Sequence, residues 1–343
     1  MIGGSQKKMS ILMISVNKRY FFLLFFIFIS CKEKVSTFLL RGYTQGTTYT
    51  IKYHTKKNII SQKSIDSLLR IVDMSMSTYI NNSTISKINN NLDVELDSLI
   101  YYVLNKSIEF CDKTNGMFDV TVFPIVEDWG FGPQKRFTHQ NLNDTISYQI
   151  GCNQIFLKRN KLIKPELVKI DLNGIAQGFT VDYLTDYFHK YDVQDFMIEV
   201  GGEVVCSGNN LGNGWRIAIE SPTEQKRSFA YVLQLSDIAL STSGSYRNYY
   251  YSDSKKISHT INPKTLKPVN NEILSVTILA SDCIKADAYA TACMSFGLKD
   301  AKNFIEENNI IGSFIYVNAG DTLYYFSEEF SSFLHSSFEE APQ

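Results

Sequence analysis

The chain has 343 residues, of which 44 % are hydrophobic, and its 34 basic residues balance 35 acidic ones. This apolar content predicts a well-packed globular protein and excludes a disordered chain. No segment concentrates Lys and Arg with interleaved aromatic residues, so nucleic acid is not an expected partner. The length fits one large domain with insertions or two domains.

The N-terminus carries the pattern of an export signal. Lys18 and Arg19 precede an apolar run, residues 20–29, which fits the hydrophobic region of a signal peptide and is too short to span a bilayer. Ser30 and Cys31 follow directly and resemble a bacterial lipobox, in which the Cys is acylated. A plain secretory signal with an incidental Cys31 is the alternative. We therefore expect residues 1–31 to be a signal peptide ending at a lipidation site, and the mature protein to be an exported lipoprotein anchored to the membrane on the periplasmic side.

Five further cysteines form no Cys-x-x-Cys pair and have no His at metal-ligand spacing, so a zinc site is not expected. Cys111, Cys283 and Cys293 lie on apolar faces of predicted helices, which favours buried free thiols over a disulfide framework. Because five is an odd number, at least one of these cysteines stays unpaired.

The predicted elements begin with a hairpin made of residues 36–40 and 47–54. Helices are predicted from a cap at Ser64 to Met76 and over residues 97–114, and residues 133–164 read as an insertion or hairpin. From Phe196 onward strands dominate; they are predicted at 196–200, 215–220, 229–235, 257–261, 274–280 and 313–317, with helices at 282–296 and 300–308. This order predicts an α+β domain over residues 36–326 with a large mixed or antiparallel sheet flanked by helices. Residues 327–343 are predicted to be a loose tail.

Residues 169–182 combine an acid, a small-residue turn and an amphipathic helix, as phosphate-binding sites do. Asp171 is predicted to close an apolar strand, the turn at Asn173 and Gly174 lets backbone approach a ligand, and Gly178 leaves the first helical turn uncrowded. Asp182 follows on the helix. An ordinary structural connection would have the same pattern.

A second candidate lies on the helix predicted at residues 282–296. Asp287 and Thr291 are four residues apart, so their side chains lie on one helical face. A carboxylate, a hydroxyl and a carbonyl are oxygen ligands that Mg2+ accepts, with substrate phosphates completing the octahedron. The alternative is a solvated acid beside a packing residue.

Three other segments could contact a ligand. Residues 242–247 place hydroxyls, backbone amides and Arg247 around a glycine turn, which suits a phosphate but also fits a tight capped loop. His259 is the best available base by its near-neutral pKa, although a lone His is more often structural. Asp119 lies among apolar and aromatic residues, where it could bind a flat heterocycle or belong to a packing motif. Gly201 and Gly202 are read as a hairpin turn.

Together these segments resemble the ApbE family, the FAD:protein FMN transferases, formerly called thiamine-biosynthesis lipoproteins. The resemblance covers nearly the whole mature chain and rests on eight ordered blocks: residues 46–49, 76–79, 116–132, 171–178, 200–202, 242–247, 259–263 and 286–291. It implies an ApbE-like (T-fold-like) domain that transfers FMN from FAD to a Ser or Thr hydroxyl of an exported acceptor protein and releases AMP.

The resemblance also implies roles for individual residues. Mg2+ would be held by Asp287, Thr291 and the Gly174 carbonyl, and His259 would be the base. The flavin and adenine sites would be lined by Tyr79, Met117, Phe118, Asp119, Asp171 and Ile261. The remaining contacts to FAD would come from Gln177, Thr242, Ser243, Gly244 and Arg247.

Two positions depart from the family pattern. Gln177 stands where the family usually has Lys, and Gln45 where it often has Met. Loss of a cation beside the pyrophosphate weakens the expected hold on FAD, although Gln177 can still donate a hydrogen bond. Two other functions therefore stay open at this point: a Mg2+-dependent FAD pyrophosphatase giving FMN and AMP, and a flavin-binding lipoprotein without turnover. The family suggests respiratory Na+-pumping or electron-transfer subunits and extracytoplasmic flavoproteins as acceptors.

Overall fold

Eight strands form the main sheet, and every neighbouring pair in it is antiparallel. The computed structural model describes residues 34–133, 149–222, 228–246, 248–252 and 255–335. Across the sheet the strands follow in the order Ser36–Thr44, Thr47–Thr55, Asp195–Val200, Glu203–Ser207, Ile238–Gly244, Ile273–Ala280, Ile311–Asn318 and Asp321–Phe326. The predicted α+β class is confirmed, and the sheet is the antiparallel one of the two types considered.

The strands are β1 (Ser36–Thr44), β2 (Thr47–Thr55), β3 (Phe156–Lys158), β4 (Lys161–Ile163), β5 (Asp195–Val200), β6 (Glu203–Ser207), β7 (Trp215–Glu220), β8 (Phe229–Leu235), β9 (Ile238–Gly244), β10 (Tyr249–Ser252), β11 (Lys255–Ser258), β12 (Ile261–Asn262), β13 (Lys267–Pro268), β14 (Ile273–Ala280), β15 (Ile311–Asn318) and β16 (Asp321–Phe326). The helices are α1 (Gln62–Met76), α2 (Thr84–Asn89), α3 (Ser98–Lys113), α4 (Phe123–Asp128), α5 (Ala176–Lys190), α6 (Cys283–Ser295) and α7 (Leu298–Glu307). Short 3-10 turns lie at Val120–Val122, Cys152–Gln154 and Glu329–Phe333.

The main sheet separates two apolar layers. In β9, Ala239 belongs to the cluster that contains Cys283 of α6, whereas the next residue, Leu240, belongs to the cluster that contains Trp215 and Leu233. Successive side chains of a strand point to opposite faces, so α6 covers one face and the β7–β8 ribbon covers the other. The helices that carry the candidate site therefore lie on a single face of the sheet.

Helix starts follow the capping residues closely. Ser61, rather than the predicted Ser64, caps α1, because the Ser61 hydroxyl accepts the N–H of Ser64 at 3.1 Å. Asp97 caps α3 and Asp282 caps α6, each within one residue of the predicted helix start. The error at α1 is one helical turn: both serines can cap, and Ser64 already lies within the first turn.

Cys111 and Cys152 form a disulfide that ties the end of α3 to the 3-10 turn at 152–154. The expectation that Cys111 is a free buried thiol is wrong. Sequence separation concealed the pair, since the two positions are 41 residues apart. Cys206, Cys283 and Cys293 are free and buried, as expected for Cys283 and Cys293.

The chain remains ordered beyond the last strand. Residues 329–333 form a 3-10 turn, and Phe330 is fully buried against Tyr231 and Phe326. The predicted loose tail is therefore wrong for these residues, because the buried Phe330 ring and backbone pairing of Leu334 and His335 with β8 secure the segment. Residues 336–343 lie outside the described part. No helix in the described ranges has the length and apolarity needed to cross a membrane.

Candidate active site

The three groups predicted to bind Mg2+ lie where α6 meets α5 and the turn before α5. The Thr291 hydroxyl lies 3.4 Å from the carbonyl oxygen of Gly174, in the turn before α5. Asp287, one helical turn before Thr291, is 4 % exposed and accepts the N–H of Gly178 at 2.9 Å. Gly174 and Thr291 are only partly buried, so a ligand can approach the group from their side.

The Asp287 carboxylate lacks a cationic partner in the described part of the chain: the ion pairs found there involve neither Asp287 nor Asp182. Burial raises the pKa of Asp287, and the nearby Asp182 raises it further. A buried acid without a counter-charge is a group that a divalent cation would stabilise in its ionised form. The donor set of carboxylate, hydroxyl and carbonyl therefore fits Mg2+.

Gly178 allows α5 and α6 to approach each other. A Cβ atom at Gly178 would lie 2.5 Å from the Cys283 carbonyl oxygen and 2.7 Å from the Asp287 Cβ. Any side chain there would push the two helices apart. The glycine is required for the helix contact itself, which is a stronger constraint than the uncrowded first turn that the sequence indicated.

Asp171 lies at the entrance to the same turn. Its carboxylate accepts the N–H of Asn173 at 2.9 Å, and burial raises its pKa to about 6. The strand predicted just before Asp171 is absent. A side chain takes the place of a strand partner there. Asn89 of α2 donates to the Ile170 carbonyl at 2.8 Å and accepts the Ile170 N–H at 2.7 Å. Nothing in the sequence around Asn89 indicated this role.

Met117 and Phe118 are 5 % and 3 % exposed, and the Phe118 ring lies beside Gly174. Asp119 is also buried, but both of its oxygens have partners within the protein. One accepts the N–H and the hydroxyl of Thr121 at 2.8 and 2.7 Å, and the other accepts the N–H of Cys152 at 3.0 Å. Asp119 thus secures the disulfide-linked turn at 152–154 to the segment that carries Phe118.

Asp119 also lies within a cluster with Cys111 and Cys152 whose potential ligand atoms are within 4.8 Å of one another. The two sulfur atoms are bonded to each other, so they are not available as thiolate ligands. The disulfide accounts for this cluster without a metal.

An aromatic wall brings His259 next to predicted flavin contacts. Tyr79 is 61 % exposed, and its hydroxyl donates to the Phe131 carbonyl at 3.4 Å. The Phe131 ring contacts Tyr250 at 5.3 Å and His259 at 6.2 Å between ring centroids. Ile261 is buried in the same region, in a small cluster of the α4 segment. Burial, with a smaller contribution from the charge of Asp171, raises the pKa of Tyr79.

The ring of His259 is oriented by the backbone. Its Nδ1 lies 3.0 Å from the Asn248 carbonyl oxygen, and a carbonyl can only accept, so Nδ1 carries the proton. In the neutral ring Nε2 is then left with a free lone pair. Burial lowers the pKa of His259, which favours this neutral form.

Ser295 connects the His259 segment to the face of α6 that carries Asp287 and Thr291. Its hydroxyl lies 3.3 Å from the Ile261 carbonyl oxygen and 3.2 Å from that of Thr291. Asn262 also donates to the Ser295 carbonyl at 2.9 Å. The strand that follows His259 is therefore attached one helical turn beyond Thr291.

Thr242, Ser243 and Gly244 form the end of β9 rather than a loop, so strand alternation decides which of them face the α6 side. Thr242 turns to the other face of the sheet, where its hydroxyl lies 3.1 Å from that of Thr277, itself within reach of Tyr231. By alternation Ser243 faces the α6 side, and Gly244 follows it at the end of β9. Arg247 and Cys31 lie outside the described residues.

Of the two residues that depart from the family pattern, Gln177 lies in the first turn of α5 and Gln45 contacts that helix from a hairpin turn. The Gln177 amide lies under Gly201, 2.7 Å from where a Cβ would be, and Gly201 with Gly202 forms the predicted β5–β6 hairpin turn. Gln45 lies in the β1–β2 turn and donates to the Thr180 hydroxyl at 2.7 Å. Both glutamines thus connect hairpin turns to the first turns of α5.

The fold and this arrangement define a class of antiparallel α+β proteins whose site lies between two helix starts and an aromatic wall. The sequence profile of the ApbE family matches residues 45–314, and the chain belongs to this family. The FAD:protein FMN transferase of Vibrio cholerae serotype O1 is 37 % identical over 294 residues, covering 82 % of this chain and 87 % of that protein. The FAD:protein FMN transferase of Haemophilus influenzae is 34 % identical over 301 residues, covering 82 % of this chain and 87 % of that protein.

Solved structures give the same result. The flavin transferase ApbE from Vibrio cholerae matches with a TM-score of 0.79 at 33 % identity, covering 88 % of this chain and 100 % of that one. The apo form of the Pseudomonas stutzeri flavinyl transferase ApbE matches with a TM-score of 0.78 at 26 % identity, covering 88 % of this chain and 96 % of that one. The resemblance found in the sequence blocks is confirmed.

Proposed function

We propose that this chain is a FAD:protein FMN transferase, which moves FMN from FAD to a Ser or Thr hydroxyl of an exported acceptor protein with Mg2+ as cofactor. Family membership and the activity named for its relatives support the transferase assignment. The observation that supports named residues is the contact of Thr291 with the Gly174 carbonyl, with Asp287 one helical turn away on α6 against Gly178.

Gly174, Asp287 and Thr291 would hold the metal through oxygen atoms. When bound, Mg2+ would neutralise charge on the diphosphate of FAD and on the departing AMP. The protein's own contribution is to fix these oxygens on two helices that touch at Gly178. The partly exposed side of the group, at Gly174 and Thr291, is where the diphosphate would enter.

His259 would accept the proton of the acceptor hydroxyl. The hydrogen bond from Nδ1 to the Asn248 carbonyl leaves Nε2 as the basic nitrogen. As Nε2 takes the proton, the hydroxyl oxygen forms a bond to the phosphorus of the FMN half, and the bond from that phosphorus to the AMP oxygen breaks. The products are a phosphoester-linked flavin and AMP, and the proton remains on His259 until solvent removes it.

We also propose that the chain is exported and anchored through a lipid on Cys31. The Cys111–Cys152 disulfide supports export, since disulfides persist in oxidising compartments such as the bacterial periplasm. The basic and apolar pattern of residues 18–31 is the other support.

The assignment is tested by incubating the purified chain with FAD and Mg2+, with and without an exported acceptor that carries a flavinylation sequence. We expect AMP release that depends on the acceptor and matches the covalent flavin formed on it. AMP and FMN released at the same rate without acceptor would instead indicate a pyrophosphatase. Flavin binding without AMP release in either mixture would indicate a binding protein without turnover.

A further inference from the structure

Helices α5 and α6 cap each other's first turns. The residue before α5, Ile175, provides no side-chain cap, and the Asp287 carboxylate of α6 accepts the N–H of Gly178 instead. In return, Asp182 of α5 accepts the N–H of Cys283 with one oxygen and that of Ile284 with the other, both at 2.8 Å. Each helix thus supplies a carboxylate to the start of its partner.

The spacing on the two helices makes this exchange reciprocal. Gly178 and Asp182 are four residues apart on α5, and Cys283 and Asp287 are four residues apart on α6, so each pair lies on one helical face. The donor of one pair faces the acceptor of the other at both turns. Because Gly178 has no side chain, its backbone can lie directly against Asp287 of α6. One turn away, the Cys283 backbone lies against Asp182 of α5.

Helix α6 has a cap of its own. The Asp282 carboxylate accepts the N–H of Lys285 at 3.2 Å, as an ordinary N-cap does. Asp182, which lies on the other helix, accepts the N–H groups of Cys283 and Ile284, the two residues before Lys285. Its two hydrogen bonds therefore fix where α6 begins relative to α5, which the Asp282 cap cannot do.

We propose that Asp182 is a positioning residue for the metal site. It does not contact the metal; it fixes the first turn of α6, and with it the placement of Asp287 and Thr291 opposite the Gly174 carbonyl. This inference rests on the proposed function, in which these three groups hold Mg2+ for FAD binding. Residues that orient metal ligands through hydrogen bonds typically change metal affinity by about 10- to 100-fold when they are replaced.

The test measures FAD binding by quenching of flavin fluorescence as Mg2+ is titrated into the purified chain. Asp182→Asn keeps the size of the side chain, but its amide can accept only one of the two N–H groups. We expect it to raise the Mg2+ concentration at half-saturation roughly 10-fold. Asp282→Asn is the matched control: it alters the ordinary cap of the same helix, and we expect its half-saturation to stay within about twofold of the unmodified chain.

Thermal unfolding without Mg2+ separates positioning from stability. Equal losses of melting temperature in the two variants, with an unchanged Mg2+ half-saturation in Asp182→Asn, would overturn the inference. Asp182→Glu is the second variant: it keeps both acceptor oxygens on a longer side chain, so it moves the start of α6 without removing the bonds. If Asp182→Asn does not fold, an unchanged half-saturation in Asp182→Glu overturns the inference, and a raised one supports it.

Failure of the Asp182 inference can be distinguished from failure of the transferase assignment. Failure of the transferase assignment appears as absent flavin transfer by the unmodified chain. Failure of the inference appears as unaltered Mg2+ dependence in the Asp182 variants of a chain that binds FAD. An unmodified chain whose FAD binding does not respond to Mg2+ overturns the metal assignment and this inference together.

Discussion

His259 has one ring nitrogen available for proton transfer because the other is committed to the backbone. The Asn248 carbonyl fixes the proton on Nδ1, and burial lowers the pKa of the ring. The neutral form, which can act as a base, is thus favoured at neutral pH. Sequence reasoning identified the residue, but only the backbone contact with Asn248 identifies the reactive nitrogen.

Replacing His259 should affect catalysis more than FAD binding. We expect His259→Ala to lower kcat for flavin transfer about 10²- to 10⁴-fold, because the acceptor hydroxyl loses its base. Flavin fluorescence quenching should give nearly the same FAD affinity for the variant and the unmodified chain. A variant with unchanged kcat would show that another group accepts the proton.

The pH dependence of transfer follows from the direction of the pKa shift. Protonation removes the base, and because the pKa of His259 is lowered, this occurs below the ordinary histidine value of about 6.5. We expect kcat/KM to stay high as pH falls to about 6.5 and to drop below it. An acid limb centred well above 6.5 that disappears in His259→Ala would contradict the shift.

At the scale of elements, the α5–α6 contact depends on one missing side chain. Gly178→Ala should lower the free energy of unfolding by about 1–3 kcal/mol, since its Cβ would overlap the Cys283 carbonyl. It should also weaken Mg2+-dependent FAD binding, because Asp287 lies at the same contact. Urea unfolding and fluorescence quenching measure the two effects.

Gly297 provides the control for that substitution. It has an ordinary negative φ of −78°, and no atom lies within 4 Å of the Cβ that Ala would add. Gly297→Ala should cost less than about 1 kcal/mol, the effect of a poorer helix cap, and should leave FAD binding unchanged. Equal effects at the two glycines would argue against a close helix contact at Gly178.

The disulfide joins two elements near the proposed flavin site. Chain-entropy arguments give about 4 kcal/mol for closing a loop of this length, so reduction should lower the melting temperature markedly. A Cys111→Ala/Cys152→Ala double variant should melt at the temperature of the reduced chain and should not respond to reductant. If the unmodified chain melts at the same temperature with and without reductant, the bond contributes nothing to stability.

At the scale of the whole molecule, local patterns predicted most elements. The bounds of β7 and β8 are those expected, and α6 lies within one residue of its expected ends, because apolar periodicity and the acid at its start are both visible in the sequence. The disulfide, the Asn89 bridge to Ile170 and the burial of Phe330 were missed. Each depends on a partner distant in sequence, and a single chain carries no local signal for such contacts.

The candidate site was predicted to a similar extent. The family resemblance placed Asp287, Thr291 and Gly174 in one metal site; in the structure Thr291 contacts the Gly174 carbonyl, and Asp287 lies one helical turn away against Gly178. Thr242 turns away because strand alternation assigns it to the opposite layer, and loop chemistry alone could not indicate that. Asp182 was noticed only as a second acid, although its four-residue spacing from Gly178 placed both on the face that meets α6.

Membrane attachment of the whole protein should depend on Cys31. We expect Cys31→Ser to move the protein from the membrane fraction to the soluble fraction, because the thiol that would be acylated is gone. Flavin transfer by the purified variant should be unchanged, since the described site contains no part of that segment. Membrane attachment that persists in Cys31→Ser would show that another feature provides the anchor.

The most direct test of the account is covalent flavin on an acceptor protein coexpressed with this chain or with its Asp287→Ala variant. Flavin fluorescence of the acceptor band after denaturing electrophoresis reports the product. We expect a fluorescent acceptor with the unmodified chain and none with Asp287→Ala at equal amounts of folded enzyme, because the variant lacks the buried carboxylate of the proposed metal site. Equal labelling by both chains, or none with the unmodified chain, would contradict it.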